Sequence, residues 1–202
     1  TCEDQIFCSA DFAAVVDGAT AKSSSKINDK TPGQIASMLV CEALDTLPVE
    51  SGIEDASSYI TNHFYSFYKK NNLTDSLEMN PHLRPTACAA IYSNARREIW
   101  LIGDVLAFTN KLYKNIKYVD EIVSGARSLL LQSKNIELVP QDTRDMHNIG
   151  RTFIEPLLRS QAQFQNNEKS DKFSFGVFDG FKIPHKFLKR IPVGNGIDEI
   201  AI

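Results

Sequence analysis

The chain has 202 residues, is 43% hydrophobic and sets 22 lysines and arginines against 25 acidic residues, for a formal charge of -3. That length supports one domain with a sizeable core, and the scattered, slightly acidic charge provides no basic stripe for a nucleic-acid backbone. No apolar run approaches the roughly 18 residues that begin to suggest a membrane span, and residues 1–17 carry acidic groups where a secretory signal would start basic and then turn apolar, so a soluble, cytoplasmic protein is the expectation.

In chain order, residues 5–16 are rich in apolar and β-branched side chains broken at Ser9 to Asp11, which predicts a β-hairpin. The hairpin ends at Val15-Val16-Asp17-Gly18, with Asp17 at a strand end and a glycine after it. A polar, serine-rich stretch follows over 19–30. Thr31-Pro32-Gly33-Gln34 then supplies an N-cap threonine, a proline at the first helical position and a glutamine three residues on, the signature of a capping box. Ile35, Met38, Leu39, Ala43, Leu44 and Leu47 keep helical spacing up to Pro48, and Ile53, Ala56, Ile60, Phe64 and Phe67 mark a second helix, each with one face for a sheet. The aromatic stripe of the second helix reads as core.

Residues 71–85 read as a loop and 86–93 as a strand of small residues, implying tight sheet packing. After a turn at Asn94 to Arg97, strands over 98–102 and 105–112 flank Gly103-Asp104, giving an antiparallel meander. Helical spacing returns over 119–132 and around Phe153, Ile154, Leu157 and Leu158 beside Pro156. A polar loop over 160–172 leads into an expected strand, tight Asp179-Gly180 turn and strand over 173–183, and residues 197–202 read as the first half of a buried strand. The order strands, two helices, strands, two helices, strands favours an α+β fold of antiparallel sheets over a doubly wound parallel one.

Four cysteines, at positions 2, 8, 41 and 88, form no close pair of the kind found in zinc or redox sites and read as reduced, mostly buried thiols. His63, His82, His147 and His185 stand far apart and neighbour no serine or cysteine nucleophile, so a catalytic triad has nothing to rest on. Gly194-Asn195-Gly196 lacks the strand-to-helix context of a dinucleotide loop, the Asn72 sequon is discounted, and Lys186 to Arg190 reads as a solvated basic face.

The chemistry-bearing candidates are acidic. Glu3 and Asp4 start the first strand of the hairpin and Asp17 ends the second, so pairing the hairpin brings three carboxylates together with no lysine or arginine beside them in sequence. Such a cluster is either a solvated rim or a site for a hard divalent cation, since oxygen-only ligands select magnesium or manganese over zinc.

Read in order, Glu3-Asp4, the strand into Asp17-Gly18, Arg84-Pro85-Thr86-Ala87-Cys88-Ala89-Ala90, Ile99-Trp100-Leu101-Ile102-Gly103-Asp104 and Asp198-Glu199-Ile200-Ala201-Ile202 resemble the early and middle motifs of PPM-type metal-dependent serine/threonine phosphatases. The resemblance implies two antiparallel β-sheets in a sandwich flanked by pairs of helices, in a single domain over residues 1–202 that lacks the family's C-terminal part. It implies a binuclear Mg2+ or Mn2+ centre in which Asp17 bridges both ions, the Gly18 carbonyl ligates one, Glu3 and Asp4 bind directly or through water, and Asp104 holds a weaker additional ion. Metal-activated water rather than a protein nucleophile then attacks phosphoserine or phosphothreonine of a phosphoprotein substrate.

The departures from the family pattern are specific. The arginine that the family places before its Glu-Asp pair has no counterpart here, and its two late aspartates would fall after Ile202. Asp17-Gly18 continues into Ala19-Thr20-Ala21-Lys22 in place of a histidine and two glycines, as in divergent bacterial members. A catalytically weak or inactive relative that keeps the sandwich as a binding or regulatory module is therefore the alternative reading.

Overall fold

A computed structural model describes residues 2–19, 26–133, 143–170, 172–194 and 200–202, and no side chain of 143–148 is considered. The hairpin forms as the pattern requires: β1 (Gln5–Cys8) and β2 (Phe12–Gly18) pair antiparallel with Gln5 opposite Val16, and the Ser9 hydroxyl accepts from the Phe12 amide at 3.1 Å to close the turn. β3 (Ala87–Ser93) and β4 (Glu98–Ile102) extend the sheet, and β7 (Lys189–Pro192) closes its far edge, in the order β1-β2-β3-β4-β7, antiparallel throughout. β5 (Val105–Phe108) and β6 (Leu112–Asn115) form a second antiparallel sheet.

Five helices, α1 (Pro32–Asp45), α2 (Ile53–Lys70), α3 (Thr74–Met79), α4 (Tyr118–Ser133) and α5 (Thr143–Ser160), complete the described elements. None of the described helices is long and apolar enough to cross a membrane. The capping box at Thr31 is complete: its hydroxyl accepts from the Gln34 amide at 3.2 Å and the Gln34 side chain accepts from the Thr31 amide at 3.0 Å. This satisfies two of the amides that a helix start leaves unpaired, and fixes where α1 begins.

The alternating faces of the large sheet build two layers. Phe12, Ala14, Val16, Ala89, Ile91, Trp100 and Ile102 face α1 and α2, where they meet Ile35, Leu39, Val40, Leu44, Ile60 and Phe64 in the main core. Each such buried aliphatic or aromatic side chain contributes about 1.5–3 kcal/mol. On the opposite face Ala90, Ile99, Leu101, Ile191 and Val193 meet Ala107, Val105 and Tyr113 of the second sheet. The fold is therefore an α+β sandwich of two antiparallel sheets with a helical layer. α4 and α5 pack chiefly on each other, and Val119 joins Cys88, Phe175 and Val177 in a small third cluster.

Several expectations are corrected. The stretch 71–85 is not a plain loop, because α3 and a short 3-10 turn at Pro81–Leu83 occupy it. The strand expected over 105–112 is a hairpin of two strands, broken where Thr109 to Lys111 reverse the chain. Residues 173–183 are not a hairpin: only isolated bridges, Phe178 to Ala87 and Phe175 to Gln165, hold them, because their backbone groups are satisfied by different neighbours rather than by each other. Lys186 and Arg190 of the basic stretch 186–190 are exposed, and the strand β7 that begins within the stretch pairs with β4.

The thiols are not mostly buried either. Cys2 and Cys8 are exposed because β1 is an edge strand, whereas Cys88 is buried in the sheet centre. Ala201 bridges to Phe108, but residues 195–199, with Asp198, Glu199 and part of the Gly194-Asn195-Gly196 turn, lie outside the described residues, as do 20–25 with Thr20, Ala21 and Lys22.

Candidate metal centre

The register places the acidic residues. Gln5 pairs with Val16, so one step on Asp4 comes opposite Asp17; Asp17 pairs with Cys88, and Ala89 pairs with Ile102, so one step on Cys88 comes opposite Gly103. Asp4, Asp17 and Asp104 thus lie at the same end of the large sheet, at the ends of β1, β2 and β4. Asp17 points to the face opposite Val16, the side on which the second sheet lies. Two strand spacings of about 4.8 Å still separate the backbones of β2 and β4, so Asp17 and Asp104 act on each other through the field rather than by contact.

Asp4 and Asp17 do meet: their carboxyls are within hydrogen-bonding reach. Partial burial, then the Asp4 carboxylate, push the Asp17 carboxyl above its usual range, and Asp104 adds to this while the Lys117 ammonium opposes it. Asp17 remains open to solvent, so water softens the repulsion. Glu3 is held differently. Its carboxylate accepts a short hydrogen bond from the Thr31 hydroxyl and lies against Gly33 at the start of α1. Gly18 sits where a Cβ would run into the carbonyls of Gly33 and Glu3, so only glycine lets β2 end this close to the helix start.

Two residues at the site were not singled out from the sequence. Lys117 precedes α4 and its ammonium lies 3.3 Å from the Asp120 carboxylate, with Asp104 close to both. Burial alone would lower the Lys117 ammonium, but Cys88, Asp120 and Asp104 outweigh it and the net direction is upward. Burial pushes the Cys88 thiol up, keeping it neutral near pH 7, so the operating partners are the two carboxylates. Burial and Asp120 raise Asp104, against the pull of Lys117. The cluster is thus not free of basic groups, as its sequence neighbours suggested: a lysine distant in sequence enters it. The signal available was the i, i+3 spacing of Lys117 and Asp120 at a helix start, which favours such a pair.

Tested against a metal, the donor set divides. Asp4 and Asp17 repel one another at the sandwich mouth, and a dication shared between them relieves that cost; magnesium is commonly held by one or two carboxylates with water completing its shell. Among the described residues, however, no group of three or more His, Cys, Asp or Glu side chains is arranged to hold a metal ion. The pair therefore fits one hard cation, and the described residues do not assemble a binuclear cage.

Asp179, read from sequence as a turn residue, is fully buried and does turn the chain, since its carboxylate accepts from the Phe181 amide at 3.0 Å. It is also the hub of a separate polar network. Arg84 donates to it at 3.0 Å while stacking its guanidinium 3.7 Å over the Phe181 ring, and Asn166 donates at 2.8 Å. Of the histidines, His63 and His185 face Glu42 and Glu54 at the surface, at 3.1 and 3.0 Å, away from the carboxylate cluster.

No protein-family model matches the chain, and no curated protein matches it. Solved structures, bacterial serine/threonine phosphatases among them, are similar in fold. One is the Mycobacterium tuberculosis serine/threonine phosphatase PstP/Ppp, 14% identical over 95% of this chain and 66% of that one, with a TM-score of 0.42. A second is the catalytic domain of PstP in complex with two manganese ions, 20% identical over 62% of this chain and 54% of that one, with a TM-score of 0.40. A third is PppA of Pseudomonas aeruginosa, described as a key regulatory component of the T6SS, 14% identical over 61% of this chain and 54% of that one, with a TM-score of 0.41. The chain spans about two thirds or less of the length of these structures.

Proposed function

We propose that residues 1–202 act as one metal-dependent phosphatase domain that hydrolyses phosphoserine or phosphothreonine on a protein substrate. The observation that carries the reading is the meeting of Asp4 and Asp17 at the sandwich mouth, where the order of sequence motifs requires a cation site. Asp17 and Asp4 would hold Mg2+ or Mn2+, with the Gly18 carbonyl beside them, and Asp104 is assigned to a weaker ion. Such a cation, when bound, supplies positive charge for the phosphoryl oxygens and acidifies a water near neutral pH.

The chain's own residues set the stage for this. The Thr31 hydroxyl fixes Glu3 so that its carboxylate is oriented at the start of α1, available directly or through water. Lys117 pins Asp120 and tempers the negative field around Asp104, which keeps the mouth attractive to cations without leaving every carboxylate unopposed. The lack of a three-donor group among the described residues favours the second reading, a weak or inactive relative serving as a binding module.

Manganese-dependent hydrolysis of an aryl phosphate by the 202-residue chain separates the two. The expected result is a rate raised by manganese and lowered on the order of 100-fold in Asp17→Asn, as the loss of a metal-site residue costs. Equal rates for both proteins, or none for either, removes the catalytic reading and leaves the module.

A further inference from the structure

Beside the carboxylates lies a cavity of about 270 Å³ with a lining of opposite character. Lys117, Lys186 and Lys189 line it, together with Ser174, and among the described residues no carboxylate does. Gly103 also lines it, so the cavity adjoins the strand end that carries Asp104. The volume is about nine times the ~30 Å³ share of one liquid water, enough for a tetrahedral oxyanion and the group attached to it.

The donors are arranged by the fold. Lys189 stands on β7 and its ammonium donates to the Lys114 carbonyl at 2.7 Å, a neutral partner that positions the charge without cancelling it. Lys186 donates to the Glu168 carbonyl at 3.3 Å and lies 5.1 Å over the Phe187 ring. Each ammonium has three N–H bonds to give. Ser174 in the wall is the second, independent sign: its buried hydroxyl finds no hydrogen-bond partner among the described residues, a state that native proteins rarely tolerate unless something else fills the need. A wall carrying three lysines and a serine is rich in donors, which suits a ligand that only accepts, as a phosphate does.

We propose that this cavity binds the oxyanion of a phosphate monoester, with Lys117 standing between it and the acidic cluster. As a substrate subsite this rests on the phosphatase reading; as an oxyanion site it does not. Lys117 pairs with Asp120 and also lines the cavity, so one residue joins the acidic cluster to the proposed anion site.

The test is calorimetric titration of the 202-residue chain with inorganic phosphate in the presence of EDTA at low ionic strength. Binding is expected without metal, weakening as salt is added, and falling about tenfold or more in the double variant Lys186→Ala/Lys189→Ala, with circular dichroism used to check that the variant keeps its fold. Ser174→Ala, which leaves all three charges in place, is expected to weaken binding less. Phosphoserine is expected to displace the bound phosphate; failure to do so overturns the assignment to a monoester substrate. Absence of phosphate binding, or an unchanged affinity in the double variant, overturns the site itself. Phosphate that binds only when manganese is present overturns this inference and leaves the phosphatase reading standing, whereas metal-free binding without any hydrolysis does the reverse.

Discussion

The chain contains two Asp-Gly pairs that read alike in sequence and are solved in opposite ways. Asp179-Gly180 is buried under a guanidinium, a side-chain amide and a backbone amide, and the Tyr68 hydroxyl donates to the Asp179 carbonyl at 2.9 Å. Complete burial pushes its carboxyl up, but every polar group around it opposes that by favouring the charged form. Asp17-Gly18 ends a strand at the rim with the Asp4 carboxylate beside it. The first pair is a finished interaction that holds the fold together. The second is an unfinished one, which is the condition under which an added cation gains binding energy, because it removes a repulsion that the chain alone leaves in place.

The contrast breaks most severely at Arg84. Arg84→Ala leaves a buried carboxylate without its counter-charge, and a loss of about 3–5 kcal/mol in denaturant unfolding is expected; a loss below about 1 kcal/mol would mean that Asp179 takes up a proton at little cost. Gly180→Ala comes next. Gly180 has φ +84°, and a Cβ there would enter the Tyr68 ring, so about 1–3 kcal/mol should be lost in the same measurement.

Thr31→Ala touches the rim instead. It removes the α1 cap and the partner of Glu3 together, for about 1 kcal/mol of stability, and manganese binding followed by electron paramagnetic resonance should weaken with it if Glu3 takes part. The smallest stability effect belongs to Asp17→Asn in metal-free buffer. The folded state of the native chain raises the Asp17 pKa, so it holds a proton more tightly than the unfolded state, and stability falls as pH rises from the ordinary carboxylate value through the raised one. The asparagine variant should lack that fall and be no less stable than the native chain at pH 7, differing by under about 1 kcal/mol. A variant clearly less stable at pH 7 would show that Asp17 is already satisfied, as Asp179 is.

Much of the frame was legible because it rests on local signals. The hairpin with its turn at Ser9, the capping box at Thr31 and the amphipathic faces of α1 and α2 follow from side-chain periodicity and from hydrogen bonds between near neighbours, which a short window of sequence contains. The meander around β3 and β4 was legible for the same reason. The edge strand β7 was not, since Lys189 to Pro192 is short and basic and becomes a strand only because β4 offers it a free edge.

The site was legible in half. Asp4 and Asp17 belong to one hairpin, so their meeting is a consequence of local pairing that the sequence by itself determined. Which charges oppose or relieve them was decided only by the tertiary structure: Lys117 reaches the cluster from the start of α4, and Arg84 reaches Asp179 across 95 residues of chain. Electrostatic energy depends on distance through space and on the surrounding dielectric, neither of which is a property of neighbours in sequence. Two Asp-Gly pairs with the same letters therefore became a structural anchor and a candidate cation site.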